Sequence, residues 1–349
     1  MFDSRLTKWR TGIVKKAGIE AIGGCLLLLF LFSCNTEPHH PPITTFYHWQ
    51  TTLAPDTTAR ILLAANDCDR LFVKAFDVAW TAGQPEPTAL IRLEDTTGLP
   101  ALVPVVFMTN EVMVEQPPDQ LRDLADNLVG LAEELLPQGF GELQLDCDWT
   151  ARTQVQYFTF LRALRERLGT GRTLTCTVRL HQYRNTKTQG VPPVDRATLM
   201  AYNVGDLNLW ETQNSIVDTN ILKTYLAGTS TYPLDLDLAV AVYDWAAVYR
   251  RDNLGYLINE PDLTELKDTS RFRELSEGGL RYQVKQSTYL NGIYLYENDL
   301  LRREVASPEL VAPQAALLRR YVAAFPGQRL MVYRLGSRLW KELDEPAYD

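Results

Sequence analysis

Glu142-Leu143-Gln144-Leu145-Asp146-Cys147-Asp148-Trp149-Thr150 is the stretch that decides the fold. Gln144, Asp146, Asp148 and Thr150 fall on one parity, and Leu143, Leu145, Cys147 and Trp149 on the other. Alternate side chains of a β-strand point to opposite faces, so this segment has one apolar face and one face carrying two carboxylates. The apolar face suits a covering helix layer, and the polar face suits a shared interior or pocket. Two acids held that close repel each other, which raises one of the two pKa values and is a common device of active sites. A solvated edge strand with surface acids is the plainer alternative, and the neighbouring segments argue against it.

Strand-like apolar runs occupy residues 44–50, 71–77, 103–109, 143–150, 174–182, 198–203, 236–245 and 329–335. Helical spacing lies between them. Leu121, Leu124, Leu128, Leu131 and Leu135 recur every three or four residues, as do Val155, Phe158, Leu161, Leu164 and Leu168 before Gly169. Leu317, Leu318, Tyr321, Val322 and Phe325 do the same ahead of Pro326. Strands alternating with helices pair in parallel, and eight such strands close a (β/α)8 TIM barrel. An open doubly wound sheet is the alternative, weakened because no Gly-rich phosphate loop follows the first strand. Residues 250–307 form the longest gap, read as an excursion between strand seven and the last helix, with a small hairpin at 281–284 and 292–296. No repeat of fixed period is visible.

The first 33 residues read as an address. Arg5, Lys8, Arg10, Lys15 and Lys16 precede the apolar run from Cys25 to Phe32, the layout of a secretory signal and too short for a stable membrane span. Leu31-Phe32-Ser33-Cys34 resembles a lipobox, which makes Cys34 the expected lipidated N-terminus and residues 34–42 a Pro-rich tether. The expectation is a lipid-anchored protein of the bacterial cell envelope, touching the membrane through that lipid only. Residues 43–349 then form one large domain. The chain carries a net charge of −8, of which the signal contributes +3, so the mature protein is near −11. That acidity argues against nucleic acid as a partner. Cys68, Cys147 and Cys176 are an odd set that sets up no disulfide framework, and no spacing points to a metal or other cofactor.

In such barrels the C-terminal ends of the strands carry the chemistry. That rule selects Asp148 and Thr150 on strand four, Arg179, His181 and Gln182 on strand five, Tyr202 and Asn203 on strand six, and Tyr243, Asp244 and Trp245 on strand seven. Strand five repeats the parity of strand four, with Thr173, Thr175, Thr177, Arg179 and His181 on one face. Arg179 is therefore the natural partner of Asp146 and Asp148, either as an ion pair filling the barrel centre or as part of a site. Tyr47, Trp49 and Trp80 add aromatic faces, which stack on the C–H faces of sugar rings, so the expected ligand is a carbohydrate. Trp149 has the opposite parity and belongs to the helix layer.

Strand four resembles the signature D-x-x-D-x-D-x-E of glycoside hydrolase family 18, the chitinases and endo-N-acetylglucosaminidases. Met200-Ala201-Tyr202-Asn203 resembles that family's strand-six M-x-Y-D/N, at the right place in strand order. The resemblance implies that Asp146 and Asp148 stand for the second and third acids. Asp148 would orient a substrate acetamido group, and Tyr202 would hydrogen-bond to it. Leu143 replaces the first acid, and Thr150 replaces the Glu that protonates the glycosidic oxygen. A threonine hydroxyl cannot serve as that acid. Hydrolysis would need another carboxyl near Asp148: Asp77 and Asp244 first, with Asp206, Glu211, Glu297 and Asp299 behind them. The chain also resembles a group of bacterial lipoproteins with D-C-D-W-T, R-L-H-Q and Y-N strand ends, which implies no activity. Three readings follow: a glycan-cleaving enzyme with a rearranged acid/base, a glycan-binding lipoprotein without catalysis, and an envelope scaffold whose pocket is vestigial.

Overall fold

A computed structural model describes residues 42–341 apart from residues 230 and 277. The signal, Cys34 and the tether up to residue 41 lie outside the described residues. All eight apolar runs become strands: β1 (Ile43–His48), β2 (Arg70–Thr81), β3 (Ala101–Met108), β4 (Glu142–Cys147), β5 (Thr173–Arg179), β6 (Arg196–Met200), β7 (Leu236–Ala241) and β8 (Arg329–Tyr333). Neighbours in sequence pair in parallel, and β8 pairs with β1, as in Thr45↔Met331, which closes the ring. This is the (β/α)8 barrel that the alternation implies.

Two cores result. Between strands and helices lies the larger, which includes Leu143, Leu145, Cys147 and Trp149 from β4 and the residues after it. Helix Leu121–Leu135 buries Leu121, Leu124 and Leu128 there, and each such side chain stabilises the fold by roughly 1.5–3 kcal/mol. The smaller core fills the barrel, with Tyr47, Phe72, Val103, Val105, Met200, Ala239, Ala241 and Met331.

Four departures from the expected elements matter for the site. After β2 the chain makes a hairpin instead of a helix. Ala82 (φ 51°) and Gly83 (φ 85°) form a two-residue turn with both φ positive, which matches strand twist, and Gln84–Thr88 folds back antiparallel on β2. Pro85 and Pro87 also exclude a helix there. Within β2, register passes from Lys74↔Val105 to Phe76↔Val106, so Ala75 is the extra residue of a bulge. Lys74 already faces the barrel with Phe72, and the bulge reverses the parity after it, which turns Asp77 inward as well.

The run expected as one strand at 236–245 breaks at Val242. Tyr243–Arg250 already belongs to a five-stranded antiparallel sheet with Asn253–Asn259, Leu300–Ala306, Arg281–Val284 and Phe272–Glu274. The excursion is therefore a sheet with its own core around Val248, Ile258, Phe272 and Leu301, larger than the hairpin the sequence suggests. The helical periodicities also shift at their ends. Val155 is 72% exposed on helix Gln154–Leu168, where Tyr157 takes its place in the core, and the last helix spans Val311–Leu318, ending before Tyr321.

Candidate functional site at the barrel mouth

The polar face of β4 climbs the barrel interior, and each of its side chains meets a different partner. At the floor, Glu142 accepts from Arg329 at 2.9 Å and 3.0 Å and from Arg70 at 3.0 Å. Asp237 joins this network through Arg329 at 3.1 Å and Arg196 at 3.4 Å. Burial outweighs those cations and pushes Asp237 up to about 6. One layer higher, Gln144 accepts from the Tyr47 hydroxyl at 2.6 Å and donates to Thr198 at 3.1 Å. Asp146 follows, 2% exposed, accepting from Thr177 Oγ1 at 2.6 Å. Burial raises its pKa, and the charges of Asp148 and Asp77 add to that, against Arg179 and the Thr177 hydrogen bond.

Asp148 stands just past the end of β4, with half of its side chain exposed. Arg179, at the end of β5, grips both its oxygens: Nε to Oδ1 at 2.6 Å and an Nη to Oδ2 at 3.3 Å. Such a two-point pair fixes orientation as well as charge. Across the opening, Lys74 Nζ donates to Asp77 Oδ2 at 2.9 Å and lies 5.8 Å from the centre of the Trp49 ring. Asp77 Oδ1 is buried with no hydrogen-bond partner.

Aromatic rings build the rest of the mouth around Tyr333, the last residue of β8. Tyr202 stacks on it with centroids 5.4 Å apart and planes 16° from parallel. Tyr243 meets it edge-on at 5.4 Å and Trp49 at 5.6 Å. Trp245 continues the series from Tyr243 at 5.3 Å. Asn203 adopts φ 56°, a left-handed conformation that Asn tolerates, and its Oδ1 accepts from the Tyr243 hydroxyl at 2.5 Å. Burial drives the Tyr202 and Tyr243 hydroxyls well above the usual phenol range, so both stay protonated, Tyr243 with its one proton donated to Asn203.

Asp148, Arg179, Asn203, Trp245, Trp49 and Asp77 thus gather at one end of the barrel, with Asp146, Tyr202 and Tyr243 buried beneath them. Other residues named from the sequence lie elsewhere. Asp244 is fully buried in the excursion sheet, where Arg338 Nε (3.2 Å) and Arg303 (3.4 Å) hold its oxygens. The break at Val242 sends it there. His181 and Gln182 are on helix Leu180–Arg184, because β5 ends at Arg179. His181 is exposed, and partial burial lowers its pKa, while Gln182 ties the helix to β4 by donating to the Trp149 carbonyl at 2.8 Å. Thr150 is exposed and engaged in a turn with Thr153, whose hydroxyl donates to Asn110 at 2.6 Å. Asp299 is clamped by Arg250 in the excursion, and Trp80 packs against the outer core.

Tyr333, Lys74 and Glu304 escaped the sequence reading. Alternation from Arg329 through Met331 marks Tyr333 as inward, a signal that was available. Lys74 shares the parity of inward Phe72, so its signal was available too. Glu304, 1% exposed, accepts from Trp245 Nε1 at 2.7 Å, Arg302 Nε at 2.6 Å and the Ser215 hydroxyl, which anchors Trp245 at the rim.

The closed barrel is a fold shared with glycan-cleaving enzymes. The spore cortex-lytic enzyme SleL of Bacillus megaterium QM B1551 is 12% identical, with 87% of this chain and 74% of that chain superposed and a TM-score of 0.54. A class V chitinase from Pseudomonas fluorescens Pf-5 is also 12% identical, over 86% of this chain and 98% of that chain, with a TM-score of 0.51. At that identity the likeness is one of fold. No protein-family model and no curated protein matches the sequence.

Proposed function

We propose that the barrel mouth binds a glycan built of amino sugars without cleaving it, and that a lipid on Cys34 holds the protein at the bacterial envelope. The observation that carries this reading is the Asp148–Arg179 pair. Both oxygens of the aspartate that resembles the acetamido-orienting acid are occupied by a guanidinium, and the exposed Thr150 stands where a proton donor would be needed. The half-buried Trp49, Trp245 and Tyr333 offer ring surface to pyranose rings, while the amide of exposed Asn203 offers hydrogen bonds to sugar hydroxyls.

Calorimetric titration with chito-oligosaccharides tests the binding. The expected result is saturable binding that Tyr333→Ala weakens by about tenfold, or roughly 1.4 kcal/mol. Absence of binding to amino-sugar oligomers would leave the mouth without this role. For the anchor, Cys34→Ala should move the protein from the membrane fraction to the soluble fraction, and an unchanged distribution would remove the lipid from the account.

One observation favours a second reading, hydrolysis with a rearranged acid. Asp77 Oδ1 is buried without a partner, and its charge is felt at Asp146. That reading requires new reducing ends on incubation with oligomers and their loss in Asp77→Asn.

A further inference from the structure

The excursion sheet carries an aromatic strip that the mouth does not use. Tyr289 and Tyr294 sit on the hairpin Thr288–Leu290/Ile293–Leu295 and meet edge to face at 5.0 Å. Tyr294 meets Tyr296 in the same way at 5.0 Å. The Arg250 guanidinium then covers Tyr296 at 4.0 Å and reaches Tyr256, on strand Asn253–Asn259, at 6.0 Å. All four tyrosines are 41–58% exposed, an unusual cost for residues that fold no core. At the Tyr256 end the strip opens into a groove of about 290 Å³ bordered by Arg250, Arg251, Asn253 and Gly255. A Cβ at Gly255 would meet only the Val248 carbonyl, at 3.6 Å, so the groove floor is open.

The strip's charge indicates what it takes. Arg250 is matched by Asp299 through two bonds, at 2.9 Å and 2.8 Å, so its guanidinium is fixed in place and its charge is neutralised. A polyanion such as nucleic acid or an acidic peptide gains little from a cation already paired, and the Arg251–Asp252 turn on the groove carries one charge of each sign. An uncharged polymer with flat C–H faces and many hydroxyls gains from each exposed ring, from the tyrosine hydroxyls and from Asn253.

We infer that this strip is a second glycan-binding surface, which holds a neutral polysaccharide chain along the excursion while the barrel mouth engages part of it. The inference rests on the glycan reading for its ligand class but not on the mouth residues. The Asn253–Asn259 strand is a sheet edge, so a protein strand adding to it is the competing occupant.

Retention on chitin beads and on insoluble cellulose tests it, alongside chitotetraose titration. The double variant Tyr289→Ser/Tyr294→Ser is compared with wild type and with the mouth variant Tyr333→Ala, and circular dichroism checks that each folds. The tyrosine pair should lose about tenfold in retention on at least one polymer while tetraose affinity holds. Tyr333→Ala should do the reverse. Unchanged retention in the tyrosine variant, or a wild type retained on neither polymer, overturns the strip. Tetraose binding absent while retention still depends on the tyrosines would instead remove the mouth and leave the strip standing.

Discussion

Asp146 and Asp148 sit two residues apart on one strand face, yet burial separates their chemistry. Asp146 is sealed in and favours its proton, whereas Asp148 is half exposed and held by Arg179. Because Arg179 is only 23% exposed and its charge also faces buried Asp146, Arg179→Ala should cost about 1.5–3 kcal/mol in urea unfolding, beyond its effect on the site. Thr150→Glu alone should give no turnover of amino-sugar oligomers, since Arg179 still pins Asp148. Thr150→Glu/Arg179→Ala should give the first measurable release of product, read by mass spectrometry. Activity from Thr150→Glu alone would mean that the pair does not restrain Asp148. Trp149, by contrast, is a packing residue: it is fully buried, stacks on Tyr157 at 5.2 Å and donates to the Gln189 carbonyl at 2.9 Å. Trp149→Ala should cost about 3–5 kcal/mol in the same unfolding experiment.

At the scale of elements, the bulge at Ala75 does the most to shape the site. It turns Asp77 into the barrel, three residues after inward-facing Lys74, which is 8% exposed, and so makes Asp77 its counter-charge. Asp77→Ala should therefore cost about 2–3 kcal/mol in thermal unfolding, by stranding a buried ammonium, and adding Lys74→Met should recover part of it. Additive losses would contradict the pairing. This element also marks where the sequence stops being legible. Strict alternation placed Asp146, Asp148, Thr177 and Arg179 on the inner face, because a period of two needs only the local chain. An inserted residue leaves no compositional trace, so the inward turn of Asp77 could not be read the same way. The break at Val242 was equally hidden, since apolar residues continue across it from one sheet into another. His181 was misplaced for a related reason: alternation persists for two residues into a helix that nothing in the strand announces.

For the whole molecule, closure of the ring leaves a charged floor of Glu142, Asp237, Arg70, Arg196 and Arg329. Asp237, ordinarily at 3.8, titrates near about 6 in the folded protein because it is buried. Between those values the folded state keeps a proton that the unfolded chain has released. The stabilisation from this group is therefore complete at the acid end and is lost as pH rises through the window. Asp237→Asn should flatten the melting temperature between pH 4 and 6, leaving a smaller slope of the same sign from Asp146; an unchanged slope would contradict the assignment. The central claim concerns the other end of the barrel, and crystals soaked in chitotetraose test it most directly. The account predicts sugar rings against Trp49 and Tyr333, beside an intact Asp148–Arg179 pair, with every glycosidic bond unbroken. A cleaved oligomer in the mouth, or an empty mouth at saturating ligand, would contradict it.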